Sequence, residues 1–305
     1  MKKPTLPNLL LIGAAKSGTT SIYQYLKSHP EIFFPDLKEP KFITSQFIQF
    51  PFKGPGDEMV EKFFAKSLDT YLSLYENVTS EHVIGDASAD TLYYYQKSIP
   101  VIKKTLGDPK VLIILRSPID RAFSSFLHMK RDKRELLSFS RALKEENNRI
   151  KNNYEFIWHY TKVGLYYAQV KNYTDNFKNV HICLFDDLKN DIEGTLKKVF
   201  IFLKVDPDFL PPNLQQKYNE NINIHSDVLE NILNHPNRFK ENVKLFLELF
   251  LTDNQIGKIA DIFKNTNRIR KKIDWLNRKK LKKKFFCDVN KLQKLIGRDL
   301  THWLE

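Results

Sequence analysis

Cysteine is almost missing from this chain of 305 residues, which has only Cys183 and Cys287. Two thiols cannot build a disulfide framework, and no Cys/His cluster stands ready for zinc. Long apolar runs are missing as well. The longest, such as residues 111–115 and 246–251, fall far short of a membrane span. There are no internal repeats and no low-complexity tracts. The N-terminal MKKPTLPNLLLIGAAKSGTT opens with two lysines, as a signal peptide does. Its apolar run covers only residues 9–12 and leads straight into a glycine turn. That run reads as a first strand, and the protein is expected to stay in the cytosol.

What the chain does have is charge of one sign: 49 Lys+Arg against 36 Asp+Glu, a net +13. Residues 264–284 hold eleven Lys/Arg and one acid, Asp274, and supply +10 of that excess. Such a stretch suits an anionic ligand, a membrane surface, a nucleic acid or a solvated helical face. No nucleic-acid motif accompanies it, so no nucleic-acid partner is expected. Hydrophobic residues make up 42%, enough for a sizeable core.

Strand and helix patterns alternate. Residues 9–12, 32–34, 83–85, 111–115 and 180–185 read as strands. The run at 111–115 is continuously apolar, as in a strand covered on both faces. Helices are expected at 18–29, 58–75, 99–106, from Pro118, at 139–151, 163–177 and 292–304. This order predicts an α/β fold with a central parallel sheet of P-loop-like type and helices on both faces. A mainly helical part from about 205 to 305 would pack on it, making residues 1–305 one domain.

Gly13-Ala14-Ala15-Lys16-Ser17-Gly18-Thr19-Thr20 lies between a strand and a helix. Backbone N–H groups and a helix N-terminus there can hold phosphate oxygens, and small residues permit close approach. The spacing matches a nucleotide-triphosphate loop, but Thr19 stands where that loop has lysine. The lysine is inside the turn instead, at Lys16. A second segment, Leu115 to Ser124, follows the apolar strand. Arg116 stands at the strand's carboxyl end, where open α/β sheets bind ligands. Ser124 follows eight residues on, and an arginine fork with a hydroxyl can share one phosphate.

The pairing of GAAKSGTTSIYQYLKSHP with LRSPIDRAFSSFLHMKR resembles the nucleotide-dependent sulfotransferase family, its bacterial members and heparan-sulfate sulfotransferase domains above all. FSRALKEENNRI, VGLYYAQVKNYTDNFKNVHICLFDDL and the terminal IGRDLTHWLE continue the likeness in the same order. The resemblance implies 3′-phosphoadenosine-5′-phosphosulfate (PAPS) as cofactor and adenosine 3′,5′-bisphosphate (PAP) as product. It assigns Lys16, Ser17, Gly18, Thr19 and Thr20 to the 5′ side, and Arg116 and Ser124 to the 3′-phosphate. It also implies transfer to a hydroxyl or amine; a small-molecule or carbohydrate acceptor is expected, with a lipid left open. A lysine inside the loop suits this chemistry, because a fixed ammonium stabilises charge growing on a departing phosphate.

Lys38-Glu39-Pro40-Lys41-Phe42 resembles the family's K-E-x-x-F element, which makes Glu39 the candidate general base. Other members use a histidine; His128, read as lying on an outer helical turn, is the alternative, and His29 is a further one. Ala87 stands where heparan-sulfate enzymes often have a lysine. Tyr93, Tyr94 and Tyr95 are candidates to line an acceptor pocket or simply to pack. Two rival classes remain: a magnesium-dependent P-loop kinase or hydrolase, and a non-catalytic nucleotide fold whose basic tail binds RNA or lipid.

Overall fold

The computed structural model describes residues 5–214 and 272–305. Strands β1 (Leu9–Leu11), β2 (Ile32–Phe33), β3 (Val83–Asp86), β4 (Lys110–Leu115) and β5 (Val180–Leu184) form one five-stranded sheet. Every pairing is parallel, in the order β2-β3-β1-β4-β5. The apolar run at the N-terminus is thus the central strand. Chain connections leave it toward β2 and β3 on one side and reach β4 and β5 on the other. That reversal opens a crevice at the carboxyl ends of β1 and β4, the place where such sheets bind ligands.

Alternating residues feed the two faces of the sheet. Leu9, Leu11, Leu112, Ile114 and Cys183 pack in one core cluster with Ile22 and Leu26 of α1 (Thr19–Lys27). Leu196, Val199, Phe200 and Leu203 of α10 (Ile192–Leu203) complete it. Residues of β4 are 0% exposed from Val111 to Leu115, so its opposite face is covered as well. The short helices α2 (Phe42–Ser45), α3 (Asp57–Glu61) and α4 (Leu68–Ser73) follow β2. Then come α5 (Tyr95–Thr105), α6 (Pro118–Arg131), α7 (Phe139–Lys151), α8 (Tyr166–Asn176) and α9 (Phe185–Asn190).

The expected helix over 58–75 is two short ones, α3 and α4. Between them Ala65 N donates to Pro40 O at 2.8 Å, pinning the chain to the Glu39 loop. Ser67 then caps α4 by accepting from Thr70 N at 3.1 Å. The helix after β3 starts at Tyr95 rather than 99, with Pro100 inside it.

Of the basic stretch, residues 264–271 lie outside the described residues, as does most of the helical part expected from 205 to 305. Asp274 caps α11 (Trp275–Ile296) by accepting from Asn277 N at 2.9 Å. This helix buries Leu281, Phe285, Val289 and Leu292. Arg278 pairs with Asp120 of α6 at 2.9 Å, and Asp288 accepts from Tyr166 N at 2.7 Å, capping α8. Some of the basic residues therefore dock α11 onto the sheet domain. Among the described residues, no helix is long and apolar enough to cross a membrane.

Candidate functional site

The loop after β1 keeps pairing with β4 before it turns. Ala14 N donates to Ile114 O and Ile114 N to Gly13 O, both at 2.7 Å. Glycine is required at two points. At Gly13 (φ 139) a Cβ would sit 2.9 Å from Ala89 O, and at Gly18 (φ 93) 2.9 Å from the Phe185 ring. Gly18 is the N-cap of α1 and provides no side-chain cap, and no acid stands in the first turn. The first N–H groups of that helix are left for an anion. Thr19 is buried beneath this end, Thr20 is half-buried, and Ser17 is 0% exposed with no hydrogen-bond partner for its hydroxyl among the described residues.

Arg116 and this loop form one site. Its guanidinium donates to Lys16 O at 3.2 Å and lies over the Phe185 ring at 4.8 Å. Phe185 thus serves both the close approach at Gly18 and the orientation of Arg116. Ser124 is buried on α6, two turns beyond Arg116. The structure brings together the two segments that the sequence pairs.

Lys16 is half-buried, with φ 67. Burial, and then the like charges of Arg131 and Arg116, lower its ammonium to about 8, against opposing pulls from Asp132 and Glu39. Lys16 and Glu39 feel one another's charge. Among the described residues six non-glycines have positive φ, and Lys16, Glu39 and Lys41 are three of them. Each such residue stores about 1–3 kcal/mol of strain, which folds concentrate at functional sites.

Glu39 is held by lysines. Lys38 Nζ is 2.8 Å from its Oε1 and Lys41 Nζ 3.8 Å from its Oε2. Burial pushes the carboxyl up, but Lys38, Lys41 and Lys16 outweigh it and keep the group below its ordinary value. Lys41 is the residue that the sequence reading left unassigned. It is buried over the Phe64 and Phe156 rings, and its Nζ lies 3.0 Å from Glu155 Oε1. Burial opposes its charge, yet Glu155, Asp90 and Glu39 together raise its affinity for the proton. Its backbone N donates to Ser88 Oγ at 3.1 Å, and Ser88 donates to Asp86 Oδ1 at 2.6 Å, tying the loop to the end of β3. Ala87 faces the core.

His128 lies in the last turn of α6 and is half-buried. Burial and then Lys16 lower it to about 4. Arg131 Nη2 approaches its Nδ1 at 2.7 Å, so the lone pair a base needs is already engaged. His29 is wedged between Phe200 and Phe209, with Glu31 N donating to its Nδ1 at 3.1 Å. That is a packing role. Tyr93 and Tyr94 pack with Phe156 and Ala15 beneath the loop, while Tyr95 begins α5.

A parallel sheet with a glycine-shaped turn and an uncapped helix N-terminus after its central strand defines an α/β protein of phosphate-loop type. Residues 6–285 match the sulfotransferase domain, and the chain belongs to that family, whose chemistry is sulfuryl transfer. A crystal structure of a sulfotransferase from Alicyclobacillus acidocaldarius superposes with a TM-score of 0.76 at 31% identity, covering 99% of this chain and 100% of that one. Carbohydrate sulfotransferase 15 of Rattus norvegicus is 23% identical over 253 residues, 66% of this chain and 44% of the relative. Bifunctional heparan sulfate N-deacetylase/N-sulfotransferase 4 of Mus musculus is 32% identical over 129 residues, 41% of this chain and 13% of the relative. This chain spans less than half the length of these curated relatives.

Proposed function

We propose that this sulfotransferase uses PAPS as donor and a hydroxyl or amine of a carbohydrate or small molecule as acceptor. The observation that carries the reading is the Arg116 guanidinium bonded to the Lys16 carbonyl, which joins two anion-binding strand ends into one cradle. The residues fit the cofactor. The Ser17 hydroxyl is buried without a partner, the N-terminus of α1 is uncapped, and Lys16 forms no ion pair among the described residues. When bound, PAPS supplies the sulfuryl group and a phosphate leaving group.

The chain's own residues divide the work. Gly18, Thr19 and Thr20 offer the N–H groups that hold the 5′ side, with Ser17 beside them. Arg116 and Ser124 take the 3′-phosphate and fix the register. Lys16, as an ammonium inside the turn, stabilises charge that gathers there in the transition state. Glu39, ionised between two lysines, takes the acceptor's proton.

Thermal unfolding with either PAP or ATP plus magnesium tests the donor assignment. A ligand that binds only the native state at about 100 times its Kd stabilises it by about 2.7 kcal/mol. PAP is expected to raise Tm, and ATP with magnesium to do so less. A larger shift with ATP and magnesium overturns the assignment in favour of a P-loop kinase or hydrolase.

A further inference from the structure

Helix α11 has two sides. Its inner side buries Leu281, Phe285, Val289 and Leu292. Asp288, the one acid in the helix, is also used inward, accepting from Tyr166 N at 2.7 Å. The cations on this side are paired: Arg278 with Asp120 at 2.9 Å and Lys284 with Glu146 at 3.8 Å.

The other side is different. Trp275, Leu276, Lys279, Lys280, Lys283 and Phe286 are all exposed. Helical spacing stacks positions 275, 279, 283 and 286 along one stripe, with 276 and 280 beside it. Trp275 is 67% exposed, Leu276 61% and Phe286 52%, so three large apolar side chains stand in water on one face. Such a gathering marks an interaction surface rather than ordinary scatter. Lys279, Lys280 and Lys283 form no ion pair among the described residues, and Lys279 Nζ lies over the Trp275 ring at 4.9 Å. Ring and ammonium therefore share one outward surface.

That mixture selects the occupant. A two-fold contact with a second copy of this chain would set lysines against lysines. A duplex nucleic acid or an acidic polysaccharide would satisfy the ammonium groups and leave the three apolar side chains in water. An anionic lipid surface takes both. Its headgroup charge attracts lysine, and the headgroup–acyl boundary accepts indole, phenyl and leucyl side chains.

We propose that the outward face of α11 docks on an anionic lipid bilayer, with Trp275, Leu276 and Phe286 at headgroup level and Lys279, Lys280 and Lys283 set against the lipid charges. The chain lies on such a surface at this helix and does not cross it there. The proposal stands apart from the donor and acceptor reading. Arg278, one turn from Trp275, bonds Asp120 in the first turn of α6, just after Arg116. Docking thus brings the phosphate-loop end of the sheet toward the lipid.

Trp158 and Trp303 are 1% exposed, so Trp275 is the exposed reporter among three tryptophans. The test is co-sedimentation of the full chain with vesicles of phosphatidylserine and phosphatidylcholine in equal parts, read together with tryptophan emission. Wild type is expected to sediment with a blue-shifted emission, and to bind pure phosphatidylcholine at least about tenfold more weakly. Lys280→Gln with Lys283→Gln is expected to weaken binding about 25-fold, roughly fivefold per lysine. Trp275→Ser is expected to weaken it about tenfold. These side chains are exposed, so the variants keep the fold, and unfolding midpoints check this. Failure to sediment with the phosphatidylserine vesicles, equal affinity for pure phosphatidylcholine, or a Trp275→Ser protein that binds like wild type overturns the proposal. Tighter binding of a single-stranded oligonucleotide than of the vesicles also overturns it, and assigns the face to nucleic acid.

Discussion

On the phosphate-loop wall of the site, Lys16 and Arg121 meet no carboxylate in an ion pair among the described residues. On the opposite wall, Lys38 and Lys41 are both matched, by Glu39 and Glu155, at 2.8 and 3.0 Å. Both walls are rich in lysine and arginine, so composition alone does not separate them. What separates them is where the compensating charge comes from. A cation paired inside the protein gives its charge to the scaffold. A cation held without a partner costs stability until a ligand supplies the anion. On the proposed reading the first wall receives the donor, and the second holds Glu39 in place and ionised.

The sharpest way to break this contrast is to change one residue on each wall. Lys16→Met is expected to lower kcat by about 10²–10³, the scale of a lost transition-state donor, and to weaken PAP as well. Glu39→Gln is expected to lower kcat by about 10², while PAP affinity stays within about twofold. Initial rates together with calorimetry read both. A Glu39→Gln enzyme of full activity removes the base assignment, and a Glu39→Gln enzyme that loses PAP shows that the second wall binds donor too.

Titration sharpens the contrast next. With the Lys16 ammonium lowered to about 8, free protein carries its charge below that pH and loses it above. Binding an anion favours the protonated form, so PAP affinity should be flat below pH 8 and fall by up to about tenfold per pH unit above it. Lys16→Met should abolish the slope. The opposite wall should contribute nothing to it, because Lys41 holds its proton far more tightly than a free lysine. Calorimetry from pH 6.5 to 9.5 checks this, and an equal slope in Lys16→Met assigns the titration elsewhere.

The first wall was largely legible in the sequence. A loop that approaches phosphate needs small residues and a glycine N-cap in one contiguous stretch, and Gly13 to Thr20 shows them in order. Arg116 was legible because a strand end followed by Ser-Pro marks its place. The second wall was not, beyond Glu39. Lys41 acquires its role from Ser88, 47 residues away, and from Glu155, 114 residues away. No local pattern encodes such pairings. Arg121 stood inside a recognised segment, yet a lone arginine in an amphipathic helix reads as solvent-facing. Its burial is a tertiary fact, set by the segment around Tyr160 closing over α6.

One group on the paired wall resembles those on the other. Asp90 is 1% exposed, its Oδ2 accepts from Thr44 Oγ1 at 2.7 Å, and its Oδ1 has no partner among the described residues. Burial lifts its carboxyl to about 7 from 3.8, helped by the like charges of Glu39 and Glu155 and opposed by Lys41 and Thr44. The folded state therefore binds this proton more tightly than the unfolded chain. The stability it brings is complete below pH 4 and is lost as pH rises through 7. Asp90→Asn keeps an acceptor for Thr44 and removes the titration. The variant should match wild type in stability near pH 4 and exceed it by about 4 kcal/mol at pH 8, measured by urea unfolding across that range. An Asp90→Asn protein destabilised equally at every pH would instead make Asp90 a standing counter-ion of Lys41. The second wall would then be paired throughout, and the uncompensated groups would be confined to the phosphate-loop side.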